Sequence, residues 1–151
     1  MEIKVLTYSK NRESIEKVAK FFAKQLNLTK SKYKVFICTD PELRKENGAF
    51  GLCGRTGERE VTISLYSRLP FGKMLYTLAH EMTHVKQFVR GQYRSELARN
   101  GRHKRFWLGK QVVAKYEDRP WEKEAYRMES VLVDKLLERV AQKSKKSKKK
   151  A

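Results

Sequence analysis

A long amphipathic segment at residues 70–90 constrains the fold more than any other feature of the sequence. Its apolar side chains recur at helical spacing and line one side of the segment: Leu75, Leu78, Met82, Val85 and Val89. Pro70 opens the segment and Gly91 ends it, and both residue types are common at those helix positions. The pattern predicts a helix that buries one stripe in the core while another side faces a cleft.

The sequence His-Glu-Met-Thr-His occupies positions 80–84 of this predicted helix. Residues four apart lie on one face of a helix, so His80 and His84 can bind the same metal ion. Glu81, offset by about 100°, can lie beside an open coordination position, accept a proton from metal-bound water and pass it to a leaving amine. This pattern is typical of zinc metallopeptidases. The alternative is a charged helix that contains two incidental histidines.

A catalytic zinc ion requires a third protein ligand, and the sequence offers two candidates. One is His103, the third and last histidine of the chain. It is surrounded by arginine and lysine at residues 102–105, and neighbouring cations disfavour metal binding. The other candidate is a glutamate in a final helix, which the pattern predicts at residues 120–141.

Helical geometry separates the acidic residues of this final helix. Glu124 shares an inward apolar face with Met128 and Val131. A carboxylate there is costly unless it is paired or binds a metal, so we predict Glu124 as the third ligand. The alternative is a buried salt bridge between Glu124 and an arginine. Glu122 and Glu129 fall about 140–160° away and are predicted to face elsewhere, with Glu122 either solvated or supporting the ligands.

The other segments predict an α+β fold with a small mixed sheet. A helix is predicted at residues 11–27, and strands are predicted at residues 2–8, 33–39 and 60–66. Four of the eight glycines lie within residues 48–57 and favour a β-hairpin with a turn near residues 54–57. The alternative, a phosphate-binding loop, lacks the Lys-Ser/Thr pair that should follow it. Residues 92–119 are polar, with a short strand or hairpin predicted near 106–116.

The composition limits the class of protein. A chain of 151 residues suits one domain with its own core. No apolar run approaches the roughly 18–20 residues of a membrane span, and residues 1–5 do not form a signal peptide. Cys38 and Cys53 are too few for a disulfide framework or a cysteine-rich zinc site and are predicted to be buried thiols. We therefore expect a soluble cytoplasmic protein with no membrane partner.

The formal net charge of +18 needs a separate explanation. Residues 142–151 contain six lysines and no acid, so they supply a third of that charge. We predict that this segment is a disordered tail after a domain at residues 1–141. It either binds a polyanion, most commonly nucleic acid, or serves only as a solubilising tail or a frayed helix end. It has no aromatic residue on which a base could stack.

Two segments together resemble a known group of proteins. Residues 78–87, which include the His-Glu-Met-Thr-His sequence, and residues 120–126, Pro-Trp-Glu-Lys-Glu-Ala-Tyr, are similar to small zinc metallopeptidase-like proteins, many of them phage-encoded. These proteins are similar to SprT-like and other zincin domains, and the resemblance extends over about residues 63–127. It implies a zincin fold, in which a small mixed sheet accompanies an N-terminal helix, an active-site helix and a C-terminal helix that supplies the third ligand. A viral origin would place the protein in the host cytoplasm.

The resemblance also implies roles for individual residues. By motif position, it carries over His80 and His84 as zinc ligands, Glu81 as the general base, and Glu124 as a third ligand of the gluzincin type. SprT-like proteins use a third histidine instead, a pattern that His103 would match. A glutamate ligand therefore weakens any transfer of their DNA-linked protease role.

Other residues are candidates for supporting roles around the metal. Zincins often stabilise the oxyanion with a tyrosine, histidine or arginine. The candidates for supporting the ligands or the oxyanion are Gln87, Glu122, Tyr116 and Tyr126. Zincins also often align an extended substrate along the strand before the active-site helix. Here that strand is residues 61–66, if one of its edges is unpaired.

Three hypotheses for the function follow. The first is zinc-dependent hydrolysis of a peptide or protein substrate, with Glu81 as the general base. The second adds recruitment to DNA through the basic surface, as in SprT-like proteases. The third is a non-catalytic, basic nucleic-acid-binding module with a structural zinc ion, which would require four protein ligands.

Overall fold

The computed structural model describes residues 1–7 and 9–150. These residues include seven strands and four α-helices. In chain order they are β1 (Glu2–Val5), α1 (Arg12–Gln25), β2 (Lys34–Asp40), α2 (Leu43–Asn47), β3 (Gly51–Gly57), β4 (Glu60–Tyr66), α3 (Phe71–Val89), β5 (Tyr93–Leu97), β6 (His103–Trp107), β7 (Lys110–Val112) and, after a 3-10 turn at Tyr116–Asp118, α4 (Pro120–Lys150). The fold is of the predicted mixed α+β class, with small sheets and a C-terminal helix. None of the helices in this part of the chain has the length and apolar character needed to cross a membrane.

Strands β1 to β4 form a mixed sheet in the order β1-β2-β4-β3. Strands β1, β2 and β4 are parallel, and β3 pairs with β4 in the antiparallel direction. Alternate residues of the parallel strands are apolar, and the sheet buries them on a single face: Ile3, Val5, Val35, Ile37, Val61, Ile63 and Leu65. Strand β3 forms one edge of the sheet and contacts helix α3.

The strand predicted to offer an unpaired edge lies inside the sheet. Residues 61–66 belong to β4, which pairs with β2 on one side and with β3 on the other. The predicted hairpin is present, with its turn at residues 58–59 instead of near 54–57, and its first strand covers the edge that β4 would otherwise expose. Strand β3 takes the edge position instead.

Helices α1, α3 and α4 pack against one another to complete the core. The apolar stripe predicted on α3 contributes to it, with Leu78, Met82 and Val85 fully buried. Helix α3 contacts β3 and β4 on one side and α4 on another. Another side of α3 faces a cleft that is bordered by β3 and α4.

Residues 93–112 form a second, antiparallel sheet in the order β5-β6-β7. The sequence predicts only a short strand or hairpin near residues 106–116. Leu108 and Gly109 join β6 to β7 with positive φ angles of 49° and 83°, and leucine at such a position gives no turn signal. The rings of Tyr93 and Trp107 lie 4.8 Å and 6.5 Å from the ring of Trp121, so this sheet supports the start of α4.

The C-terminal segment differs from the predicted disordered tail. Helix α4 continues through Lys150, and residues 142–150 are all exposed. Lysine and glutamine are favourable helix residues, and cations suit the negative end of a helix dipole. Positions 8 and 151, at the ends of the predicted first strand and of the predicted tail, lie outside the described residues.

Candidate metal centre

Two histidines of α3 and one glutamate of α4 bring three potential ligand atoms together. His80 Nε2 and His84 Nε2 are 3.1 Å apart, and Glu122 Oε2 lies 3.1 Å and 3.4 Å from them. These three side chains form a group that could hold a metal ion. Two ligands about 2.05 Å from a tetrahedral zinc ion would lie roughly 3.3 Å apart, so the observed spacing fits such an ion.

The Glu129 carboxylate orients the ring of His80. Glu129 Oε1 is 2.8 Å from His80 Nδ1, and a carboxylate can only accept, so Nδ1–H is the donor. Nε2 is left facing the other ligand atoms, as in many metal-binding histidines. Burial acts to lower the pKa of His80, but the hydrogen bonds to Glu122 and Glu129 outweigh it and raise that pKa to about 9. The two carboxylates thus favour positive charge at this point.

The Gln87 side chain orients the ring of His84 in the same way. Its amide nitrogen donates to the Trp121 carbonyl oxygen and to Glu124 Oε2, each at 2.9 Å. These two acceptors fix which end of the amide is oxygen. Gln87 Oε1 must then accept from His84 Nδ1–H, 2.8 Å away, which directs the Nε2 lone pair of His84 toward the ligand group.

Glu124, the predicted third ligand, faces a different partner. Its carboxylate pairs with the ammonium group of Lys86, and it also accepts the hydrogen bond from Gln87. Burial acts to raise the pKa of Glu124, but the bonds from Lys86 and Gln87 lower it. The structure therefore brings Glu122, rather than Glu124, to the two histidines. The predicted alternative of a salt bridge is closer to what is seen, with a lysine in place of the arginine.

The expectation for Glu124 fails because the sequence pattern places the centre of the buried face of α4 too close to Glu124. Around the helix axis, the buried residues Trp121, Ala125, Leu132 and Val133 span about 60–180° from Glu124. Glu124 therefore lies about 60° outside this face, whereas Glu122 and Glu129, at about 160° and 140°, lie within it and contact His80. The expectation that Glu122 and Glu129 face elsewhere is wrong. Their seven-residue spacing, which stacks two carboxylates on one side of a helix, was a signal that could have identified both.

His103, the alternative ligand, is not part of the group. It lies at the start of β6 in the second sheet, is exposed, and its Nδ1 is 3.1 Å from Ser95 Oγ. The two remaining histidines are thus paired with a carboxylate from α4, not with a third imidazole.

Glu81 lies in the wall of a cleft beside the ligand group. Its side chain is buried, and burial is the main cause that raises its pKa, while His84 and His80 act to lower it. A carboxylate with a raised pKa holds an accepted proton more readily than an ordinary one. The position is consistent with the general base that the sequence predicts.

Gly51 on the edge strand approaches Glu81 so closely that a side chain has no room. A Cβ atom added to Gly51 would lie 2.6 Å from Thr77 Cγ2 and 2.7 Å from Glu81 Oε1. The edge of the sheet can pass beside the proposed base because residue 51 is glycine.

Replacing Gly51 with alanine is expected to displace Glu81 or β3, because the added methyl group overlaps both neighbours. We expect a loss of about 1–3 kcal/mol of folding free energy, measured by urea denaturation, since overpacking a tight contact costs about this much. Gly54→Ala is the matched control, because a Cβ atom there meets nothing within 4 Å. Equal losses for the two variants would contradict the close approach.

The cleft has a volume of about 580 Å³. Acidic side chains line it, although the protein as a whole is strongly basic. Its lining includes three carboxylates, from Glu81, Glu122 and Glu129, and two histidines. None of the chain's 35 lysines and arginines is among its lining residues. The lysine and arginine charge of the protein therefore lies outside the cleft lining.

Two tyrosines close one side of this cleft. The Tyr116 hydroxyl donates to Glu122 Oε2 at 3.0 Å and lies 3.4 Å from the Tyr126 hydroxyl, whose ring is 4.6 Å from the ring of His80. Burial, the Tyr126 hydroxyl and the Glu122 carboxylate raise the pKa of Tyr116, so it stays protonated. The Tyr116 hydroxyl therefore supports the Glu122 carboxylate, and the Tyr126 hydroxyl lies beside the ligand group as a potential donor.

Both cysteines are free and partly buried, and neither belongs to the ligand group. Cys53 lines the cleft, where burial and the Glu81 and Glu122 carboxylates raise its thiol pKa. A protonated thiol is a poor metal ligand. The group therefore offers a metal three protein atoms, from His80, His84 and Glu122.

Comparisons of this chain with models of protein families, with curated proteins and with solved structures find no match. What the cleft can do therefore follows from its own residues.

Proposed function

We propose that the protein is a zinc-dependent metallopeptidase of the gluzincin type, with His80, His84 and Glu122 as the metal ligands. The observation that carries the proposal is the convergence of the two Nε2 atoms and the Glu122 oxygen, 3.1–3.4 Å apart, at the side of a cleft. Three protein ligands leave a coordination position open, as in catalytic rather than structural zinc sites. A glutamate ligand also favours the gluzincin arrangement over the three histidines of SprT-like proteins.

The ligand atoms support zinc over the harder cations. Magnesium and calcium prefer oxygen ligands, whereas two imidazoles and one carboxylate suit zinc. The supporting acceptors on both imidazoles, Glu129 and Gln87, are of the kind that keep such ligands oriented.

The charge of the cleft supports a peptide over a phosphodiester substrate. A phosphate backbone carries negative charge and is usually bound by lysine or arginine. Here the cleft wall holds three carboxylates and neither of those residue types. A neutral peptide bond can enter such a cleft without that repulsion.

Each residue near the cleft has a defined role in hydrolysis under this proposal. A bound zinc ion would polarise the peptide carbonyl and lower the pKa of a water molecule. Glu81 takes the proton of the attacking water and transfers it to the leaving amine. The Tyr126 hydroxyl donates to the negative charge that develops on the carbonyl oxygen, and the Tyr116 hydroxyl holds the Glu122 carboxylate in place.

The edge strand β3 is suited to hold an extended substrate. Its residues 51–53 line the cleft, and one of its edges is not used by β4. Backbone groups on a free strand edge can bind a peptide main chain by strand addition. The sequence predicts that residues 61–66 align the substrate, and β3 takes that role in this proposal.

Metal analysis and peptide hydrolysis together test the proposal. We expect purified protein to hold about one zinc ion per chain and to cleave an extended fluorogenic peptide. A chelator should remove both zinc and activity, and added zinc should restore both. Protein that binds no stoichiometric metal, or that binds zinc without cleaving any peptide in a mixed library, would refute the proposed activity.

A further inference from the structure

The C-terminal part of α4 projects away from the rest of the protein. Leu136 is the last residue of the helix that packs against the core, so the next fourteen residues extend about 21 Å beyond it. Residues 142–150 are all exposed and contain six lysines and no acid. Beyond Glu138 the segment carries only positive charge, and a helix end of that kind that packs against nothing needs a partner to stabilise it.

The lysines are spread widely around this projecting helix. At about 100° per residue, the six lysines of residues 142–150 cover roughly 220° of its circumference. A flat surface can contact only one side of such a helix. A groove with negative charge on both walls can contact the whole arc.

The side of the projecting helix without lysines does not suit binding at a membrane surface. It carries Leu137, Val140 and Ala141 near the core, but serines at positions 144 and 147 farther out. A helix that lies in a membrane interface needs a continuous apolar face, often with aromatic residues. Residues 142–150 contain neither.

Repulsion within the segment also points to a polyanion. Lysines four residues apart, such as 145 with 149 and 146 with 150, face each other on the helix surface and destabilise it. Phosphates between them would relieve this repulsion. The absence of arginine and aromatic side chains in residues 142–150 fits contacts to phosphates rather than to bases.

We propose that residues 137–150 dock in the major groove of duplex DNA and bind its phosphates without regard to sequence. A helix is about 10–12 Å across and the B-form major groove is about 12 Å wide, so the fit is close. The major groove of duplex RNA is deep and narrow and would not admit it. Glu129 is the last cleft residue on α4 and precedes Lys143 by about 21 Å along the helix, so bound DNA would leave the cleft accessible. The proposal does not depend on the proposed peptidase activity.

Two variants of equal net charge test this docking. In the first, the six lysines of residues 142–150 become glutamine. In the matched control, six exposed lysines elsewhere become glutamine: Lys10, Lys30, Lys32, Lys34, Lys45 and Lys73. Binding to a labelled 24-base-pair DNA duplex is measured by fluorescence anisotropy from 50 to 200 mM salt.

We expect the tail variant to bind DNA at least about 100-fold more weakly at 100 mM salt. Its slope of log K against log salt should be less negative than that of the native chain by about five. The control should keep most of its affinity and slope. Circular dichroism should show that the tail variant keeps the helix content of the native chain, so that weaker binding reports the lost charge. Equal weakening in the two variants would overturn the proposal, as would equal affinity for an RNA duplex or tighter binding to anionic phospholipid vesicles.

Discussion

Glu81→Gln is expected to lower kcat for peptide hydrolysis by about 10²–10⁴-fold while zinc affinity changes by no more than a few-fold. Glutamine has nearly the same shape as glutamate but cannot take a proton from water. The carboxylate is not one of the three grouped ligand atoms, so the ion should remain bound. Zinc content by atomic emission and kcat with a fluorogenic peptide give the two readouts.

An exposed glutamate near the cleft provides the control for this prediction. Glu117 lies in the 3-10 turn and is exposed, so Glu117→Gln should retain native kcat. Wild-type activity in Glu81→Gln would remove Glu81 from the mechanism. Loss of zinc from Glu81→Gln would instead give Glu81 a role in the metal site.

Glu122→Gln and Glu124→Gln are expected to affect zinc binding very differently. Supporting residues around a metal usually contribute 10–100-fold to affinity, and loss of a direct ligand should cost more than about 100-fold. Glu122→Gln replaces an anionic ligand oxygen with a neutral amide, whereas Glu124→Gln changes a side chain that is outside the ligand group and contacts only Lys86 and Gln87, so it should cost less than about 10-fold. Competition for zinc with a chromophoric chelator measures both affinities.

The comparison decides between Glu124, the ligand that the sequence predicts, and Glu122, which the structure places beside the two histidines. If Glu124→Gln loses zinc and Glu122→Gln keeps it, the ligand is the one that the family resemblance implies. Circular dichroism of both metal-free variants separates lost binding from lost folding. Both variants retain a polar group of the same size, so misfolding should be small.

The local parts of the fold were predictable because they depend on short-range patterns. The amphipathic spacing around Leu78 and Met82 defines α3, and the glycines near residue 54 indicate the hairpin. The two histidines and Glu81 follow from a five-residue pattern on one helix. Each of these features depends on residues close together in the chain.

Features that depend on how elements pack were not predictable in the same way. The choice between Glu122 and Glu124 depends on the rotation of α4 about its own axis, which Trp121 sets by packing against Tyr93 and Trp107 of the second sheet. The two glutamates lie about 160° apart around the helix axis, so an error in that rotation exchanges one for the other. The edge position of β3 likewise depends on pairing between strands, which apolar alternation in one strand does not determine.

The ligand group also has a thermodynamic consequence. His80 and Glu122 are 42 positions apart in the chain, and the second sheet lies in the loop between them. An ion bound to both would act as a cross-link across that loop, and its binding energy would add to the free energy of folding. At a free zinc concentration 1,000 times the dissociation constant, this linkage is worth about 4 kcal/mol. The same three side chains would then determine both the metal site and the folding stability of the chain, so zinc supply would affect stability as well as activity.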